Sequence, residues 1–183
     1  MKFTTPVIMA LLGATNAMKM KMKAKDDTCA GLTATGPISS KKHGEVIENL
    51  YVYASPTQDT AVFIRHKNVT VKNVVVHHAA NGRGVYFINA SGLTIENMDV
   101  LAYGVHATSD ENNWGANPCP LRSPFSGYNC ANITGRKTND YKLTNVRTEG
   151  GSKGISVIKS KNGVWKNVTA KNIRGPNPGG QCF

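Results

Sequence analysis

The chain has 183 residues, with 22 Lys and Arg against 11 Asp and Glu, for a net charge of +11. That length allows one domain with a sizeable core, and no apolar run is long enough to span a bilayer. So basic a chain suits an acidic partner, either a uronate polysaccharide or an anionic cell surface; with no aromatic stacking platform or nucleic-acid motif, nucleic acid is not expected.

Residues 1–17 read as a secretory signal. Lys2 supplies the charge, Pro6 to Ala14 is a short apolar run, and Thr15-Asn16-Ala17 is a tolerable cleavage site. The expected location is therefore extracellular. Residues 18–44 read as a basic leader, with Lys19, Lys21, Lys23 and Lys25 in alternation with Met and Ala.

A repeated phrase begins near Glu45 and runs to the end of the chain. It reads Val69-Thr70-Val71-Lys72-Asn73-Val74-Val75-Val76 and again Leu93-Thr94-Ile95-Glu96-Asn97-Met98-Asp99-Val100, with fainter copies around Asn49, Asn145 and Asn167. The asparagines step by 24, 24, 48 and 22 residues, a period that marks a repeat architecture. Alternation puts Val69 and Val71 on one face and Thr70 and Lys72 on the other. Asn tolerates the left-handed backbone that a bend between strands needs. A third strand precedes several phrases, at residues 61–64, 85–88 and 155–158. Three strands per coil of 22–24 residues predict an all-β, right-handed parallel β-helix (solenoid) of about five coils over residues 45–183, with an internal ladder of hydrogen-bonded asparagines. A β-sandwich would give no reason for an Asn at constant phase.

The doubled step of 48 marks a loop insertion at about 101–131. It holds His106, Asp110, Glu111, Trp114, Arg122, Phe125 and Tyr128, with prolines that stiffen it. Cys29, Cys119, Cys130 and Cys182 can pair in three ways; Cys119 and Cys130 share the loop and are the expected disulfide. Ordered long loops often carry function, and the other role for this one is a cap that covers the wall. Four Asn-x-Ser/Thr sites occur, at Asn68, Asn89, Asn132 and Asn167, making a secreted form a candidate glycoprotein; Asn167 is also a ladder position. No Cys or His cluster has zinc spacing, so no metal site is expected. The phrase at Trp165–Ala170 opens a coil whose return loop runs to Phe183 with no cap after it, so further C-terminal coils are expected in the full repeat.

The Asn-centred repeat over residues 45–183 resembles the right-handed parallel β-helix proteins of the pectin-lyase-like superfamily, as an uncharacterised secreted member. That resemblance implies a carbohydrate-associated protein, with polysaccharide lyases, polygalacturonases, epimerases and noncatalytic surface proteins all among its relatives. The polygalacturonase motifs Asn-Thr-Asp, Asp-Asp, Gly-His-Gly and Arg-Ile-Lys are absent from the repeat region. Calcium is a cofactor that the resemblance allows, but Asp110-Glu111 is the one adjacent acidic pair in the repeats. Tyr103-Gly104-Val105-His106 is faintly similar to the Tyr-Gly motif of alginate epimerases, with His106 where an aspartate is expected.

Elimination or epimerisation on a uronate needs a base for the C5 proton and a positive group beside the carboxylate. His106, His77 and His78 are the candidate bases. Arg83, Arg122, Arg136 and Lys153 are candidate carboxylate ligands. Trp114 and Tyr86 are candidate sugar contacts, Tyr86 by its outward phase. Two function classes follow. One is a lyase- or epimerase-type enzyme on acidic polysaccharide; the other is a noncatalytic secreted or cell-surface protein that binds glycans.

Overall fold

The computed structural model describes residues 31–55, 58–79, 82–103, 131–151 and 153–173. Its strands in chain order are β1 (Thr33–Thr35), β2 (Ile38–Ser39), β3 (Val46–Tyr53), β4 (Thr60–Ile64), β5 (Thr70–Ala79), β6 (Arg83–Ile88), β7 (Thr94–Tyr103), β8 (Ala131–Arg136), β9 (Lys142–Glu149), β10 (Lys153–Ile158) and β11 (Val164–Lys171). Odd-numbered strands form one six-stranded sheet and even-numbered strands one five-stranded sheet. Every pairing is parallel, each strand stacking on the strand two places earlier. The fold is an all-β parallel solenoid of about four turns. The five ladder asparagines mark five stacked levels, joined by four bonds.

The repeated asparagine explains the wall of the larger sheet. Asn49, Asn73, Asn97, Asn145 and Asn167 have φ of 56, 53, 52, 53 and 51°. Each left-handed residue resets the alternation, so that Val69 and Val71 before Asn73, and Val74 and Val76 after it, all point inward and are at most 1% exposed. The same holds for Leu93, Ile95, Met98 and Val100 around Asn97. The two segments expected as separate strands are thus one strand interrupted at a single residue. With its neighbours facing in on both sides, the asparagine is turned outward: all five are exposed. The ladder is therefore on the surface, not internal. Its Nδ2-to-Oδ1 bonds run 3.1, 3.1, 2.9 and 3.0 Å up the molecule, each adding about 1 kcal/mol to a coil junction.

The core is a set of vertical stacks. Ile47, Val71, Ile95 and Leu143 share one register row, and Val62, Val85, Ile133 and Ile155 another. Burying each such side chain contributes about 1.5–3 kcal/mol. One row alternates in size: Gly135 lies in register with Phe87, and a Cβ on Gly135 would collide with the Phe87 ring. The phenyl group fills two rungs.

Two expectations change. Strands β1 and β2 already belong to the sheets, so the solenoid starts inside the stretch assigned to the leader. Their Thr-Ala-Thr and Ile-Ser segments lack the asparagine phrase and are identified only by pairing. The expected insertion bounds of about 101–131 overlap strand at both ends: β7 runs on to Tyr103 and β8 starts at Ala131, a strand the sequence hides because Ile133 is its only large apolar side chain. Strand β7 pairs directly with β9, and β6 with β8, so the 48-residue step spans a single rise of the stack, in line with an insertion; residues 104–130 lie outside the described residues.

Candidate binding surface

Each coil has two corners, and they differ in chemistry. The corner leading from the six-stranded to the five-stranded sheet collects buried polar groups. His78 and its neighbour His77 lie at the end of β5. His78 is 1% exposed, with Nε2 2.8 Å from Asn132 Oδ1 and Nδ1 2.9 Å from the Ala79 carbonyl oxygen. Asn132 Nδ2 donates to the Gly150 carbonyl at 2.9 Å, which fixes the amide with its oxygen toward the histidine. A neutral imidazole has one N–H, so it donates to one of these two oxygens at a time. Burial pushes the His78 pKa down to about 4 from the ordinary 6.5, against the raising effect of its two partners. The imidazole reaches the next coil past Gly84 of its own coil: a Cβ there would lie 2.6 Å from the Asn132 carbonyl oxygen and 2.9 Å from His78 Cδ2, and would strike Val100. His78 is a spacer in the wall, shut away from any substrate's proton.

Arg83 is at the same corner. It is 5% exposed, forms an ion pair with Asp59 of the coil below, and its guanidinium carbon lies 4.2 Å from the Tyr86 ring centroid. Tyr86 does occupy an outward row, in register with Phe63 below and with Thr134 and Ser156 above. Its ring, however, is stacked on Phe63 at 5.4 Å and 17°. With Phe63 and Arg83 both against it, Tyr86 is a structural contact and not an open sugar platform.

The remaining candidates are not brought together. His77 faces out from the six-stranded sheet, half-buried, its Nδ1 2.9 Å from the Tyr51 hydroxyl with the two rings edge to face. Tyr86 is on the other sheet. Lys153 opens β10, while Arg136 closes β8. Lys153 is in register with Ala131, five residues or about 16 Å along the strand from the Arg136 row. His106, Trp114, Arg122, Cys119 and Cys130 lie outside the described residues. Among the described residues no cluster of three or more His, Cys, Asp or Glu could hold a metal ion, and no helix is long and apolar enough to cross a membrane.

The opposite corner, from the five-stranded to the six-stranded sheet, presents its polar groups outward. Its turns carry Lys41 and Lys42 on the first coil, Arg65 and Lys67 on the second, Lys137 on the fourth beside Arg136, and Lys159 and Lys161 on the fifth. All eight of these cations are exposed. Among the described residues none of them is in an ion pair. The third turn, Asn89-Ala90-Ser91-Gly92, has no charge. With about 4.8 Å between coils, the ridge extends about 19 Å along the solenoid axis.

The turns under this ridge are held rigidly from coil to coil. A second left-handed series occupies Gly44, Asn68, Gly92, Asp140 and Asn162, with φ of 68, 56, 77, 54 and 56°. Backbone bonds of 2.9 Å join Gly44 to Lys67, Asn68 to Ser91 and Gly92 to Asn139, and one of 3.1 Å joins Asp140 to Lys161. Side chains add to this framework. His43 Nδ1 accepts the Lys67 N–H at 2.9 Å, Asn139 Oδ1 accepts the Lys161 N–H at 3.0 Å, and Asn162 Nδ2 donates to Asp140 Oδ1 at 2.8 Å. The cations are thus mounted at fixed vertical spacing on a preorganised wall. A sequence signal for them exists: in every repeat the turn lies five to eight residues before the ladder asparagine, as Lys-Lys-His-Gly, Arg-His-Lys-Asn, Lys-Thr-Asn-Asp and Lys-Ser-Lys-Asn.

Fold and corner together define a parallel β-solenoid with a linear basic ridge. No family model matches the chain, and no curated protein or solved structure matches it.

Proposed function

We propose that this chain is a secreted, carbohydrate-associated β-solenoid that binds acidic, uronate-type polysaccharide without transforming it. The observation that carries the reading is the ridge of eight unpaired cations on a hydrogen-bonded wall. A linear polyanion lying along the solenoid axis meets a positive turn at four of five levels, and releases counterions as it binds. The resemblance of the Asn-centred repeat to pectin-lyase-like proteins, and the signal-like residues 1–17, support the carbohydrate and extracellular parts of the reading. Co-sedimentation with polygalacturonate and with alginate tests it. The parent should pellet with the polymer at low salt, and Lys159→Gln/Lys161→Gln should pellet several-fold less; equal pelleting would refute the ridge as the site.

A lyase- or epimerase-type reading has one observation in its favour, the Tyr51–His77 pair on the outer face of the larger sheet. The hydroxyl and imidazole are within proton-transfer reach of each other. Ultraviolet absorbance from unsaturated uronate ends, lost in His77→Gln, would establish that reading.

A further inference from the structure

Four Asn-x-Ser/Thr sequences are present, and the fold treats them differently. Asn132 is fully buried, with its amide bonded to His78 and Gly150. Asn167 spends its Nδ2 on the ladder bond to Asn145. The Asn68 carboxamide is seated over Gly92 of the next coil, in the space a Cβ there would fill. Among the described residues Asn89 is exposed with neither a bond to its side chain nor a glycine beneath its carboxamide, whereas Asn68, also exposed and without a side-chain bond, is packed over Gly92. It has a φ of 54°, at the same level of its turn as Lys137 and Lys159, whose φ values are 50 and 54°. Its backbone N–H donates to the Arg136 carbonyl at 3.1 Å, so the residue is fixed while its amide projects from the wall. It also belongs to the one turn of the ridge without a cation.

We propose that Asn89 is an N-glycosylation site and that its glycan divides the basic ridge into two shorter ones. The reaction joins Asn89 Nδ2 to the anomeric carbon of an oligosaccharide. It breaks that carbon's bond to the phosphate oxygen of a lipid-diphosphate donor, releases the lipid diphosphate, and passes one amide proton to a base of the transferring enzyme. The glycan then stands about one coil rise, roughly 4.8 Å, from Lys137 on one side and from the Arg65–Lys67 turn on the other. A polymer can run along either half of the ridge but not across both. The regulatory part of this proposal rests on the polysaccharide-binding reading given above; the site itself rests on the secretory reading of residues 1–17.

The test is expression of the full chain in a eukaryotic secretory host, with intact mass measured before and after enzymatic deglycosylation. The expected result is one glycan in the secreted protein, absent from Asn89→Gly, which keeps the positive φ, and from Ser91→Ala. Glycan retained in Ser91→Thr would support the same assignment. A secreted but unmodified chain, or a glycan on Asn68 or Asn167 alone, overturns the site. An unmodified chain retained inside the cell overturns both the site and the secretory reading. For the consequence, polygalacturonate binding is followed against salt. The glycosylated form should show about half the log–log slope of Asn89→Gly; equal slopes overturn the division of the ridge. Binding by neither form removes the polysaccharide reading while leaving the glycan assignment standing.

Discussion

The two corners of this solenoid are built from the same kinds of residue and put them to opposite use. At the His78 corner, imidazole, amide and guanidinium groups are turned inward and matched: His78 with Asn132, Asn132 with Gly150, Arg83 with Asp59. At the Lys41–Lys161 corner, the backbone and short side chains satisfy one another and the long cations are left to solvent. Buried polar groups carry a large cost unless paired, so the first corner is committed to stability. Exposed cations on a rigid wall carry almost none, so the second corner is available for binding.

The largest effect expected at the buried corner is from Gly84→Val. No rearrangement short of moving a strand relieves the contacts with Val100, His78 and Asn132, and we expect a loss of more than about 3 kcal/mol or failure to fold, read by chemical denaturation. Next is pH. His78 holds a folded pKa of about 4 against 6.5 for the free side chain. The folded state therefore favours the neutral form. Its contribution is complete above about pH 6.5 and is lost as pH falls toward 4, about 3 kcal/mol in all. Denaturation across that range should show the slope, and His78→Gln should flatten it.

Smaller still is Asn97→Ala, which removes two ladder bonds and a residue suited to positive φ; about 2 kcal/mol is expected. Asn97→Gly should recover part of the loss by keeping the backbone angle, which separates conformational from hydrogen-bonding contributions. At the exposed corner, Lys159→Gln/Lys161→Gln should change stability by less than about 0.5 kcal/mol. A large destabilisation there would erase the contrast between the corners.

The sequence made the wall legible and the corners much less so. Asn73 and Asn97 announce the repeat because a left-handed residue between two inward-facing apolar pairs is required at one phase of every coil. Strand β8 was hidden because the Phe87 ring fills the space a side chain at Gly135 would take, leaving a strand with little apolar character of its own. His77 and His78 are adjacent in sequence and look alike, yet one points out and the other in, a distinction that depends on the phase reset at Asn73. Arg83 reads as a free cation until Asp59, a full coil earlier, is seen beneath it. The ridge was in principle visible as basic turns at constant phase, but the neutral third turn and the 48-residue step interrupt the series. Only stacking closes that gap, by placing β9 directly on β7.

The central claim is that affinity for an acidic polymer resides in the turn ridge and not in the protein's overall charge. The direct measurement is calorimetric titration with polygalacturonate over a range of salt concentrations, for the parent, for Lys159→Gln/Lys161→Gln, and for Lys166→Gln/Lys171→Gln. The last pair removes two exposed lysines from β11, outside the ridge. Net charge falls equally in both variants. The ridge variant should bind several-fold more weakly, with a log–log salt slope reduced by about 2, while the β11 variant stays close to the parent. Equal losses in the two variants, or none in either, would contradict the account.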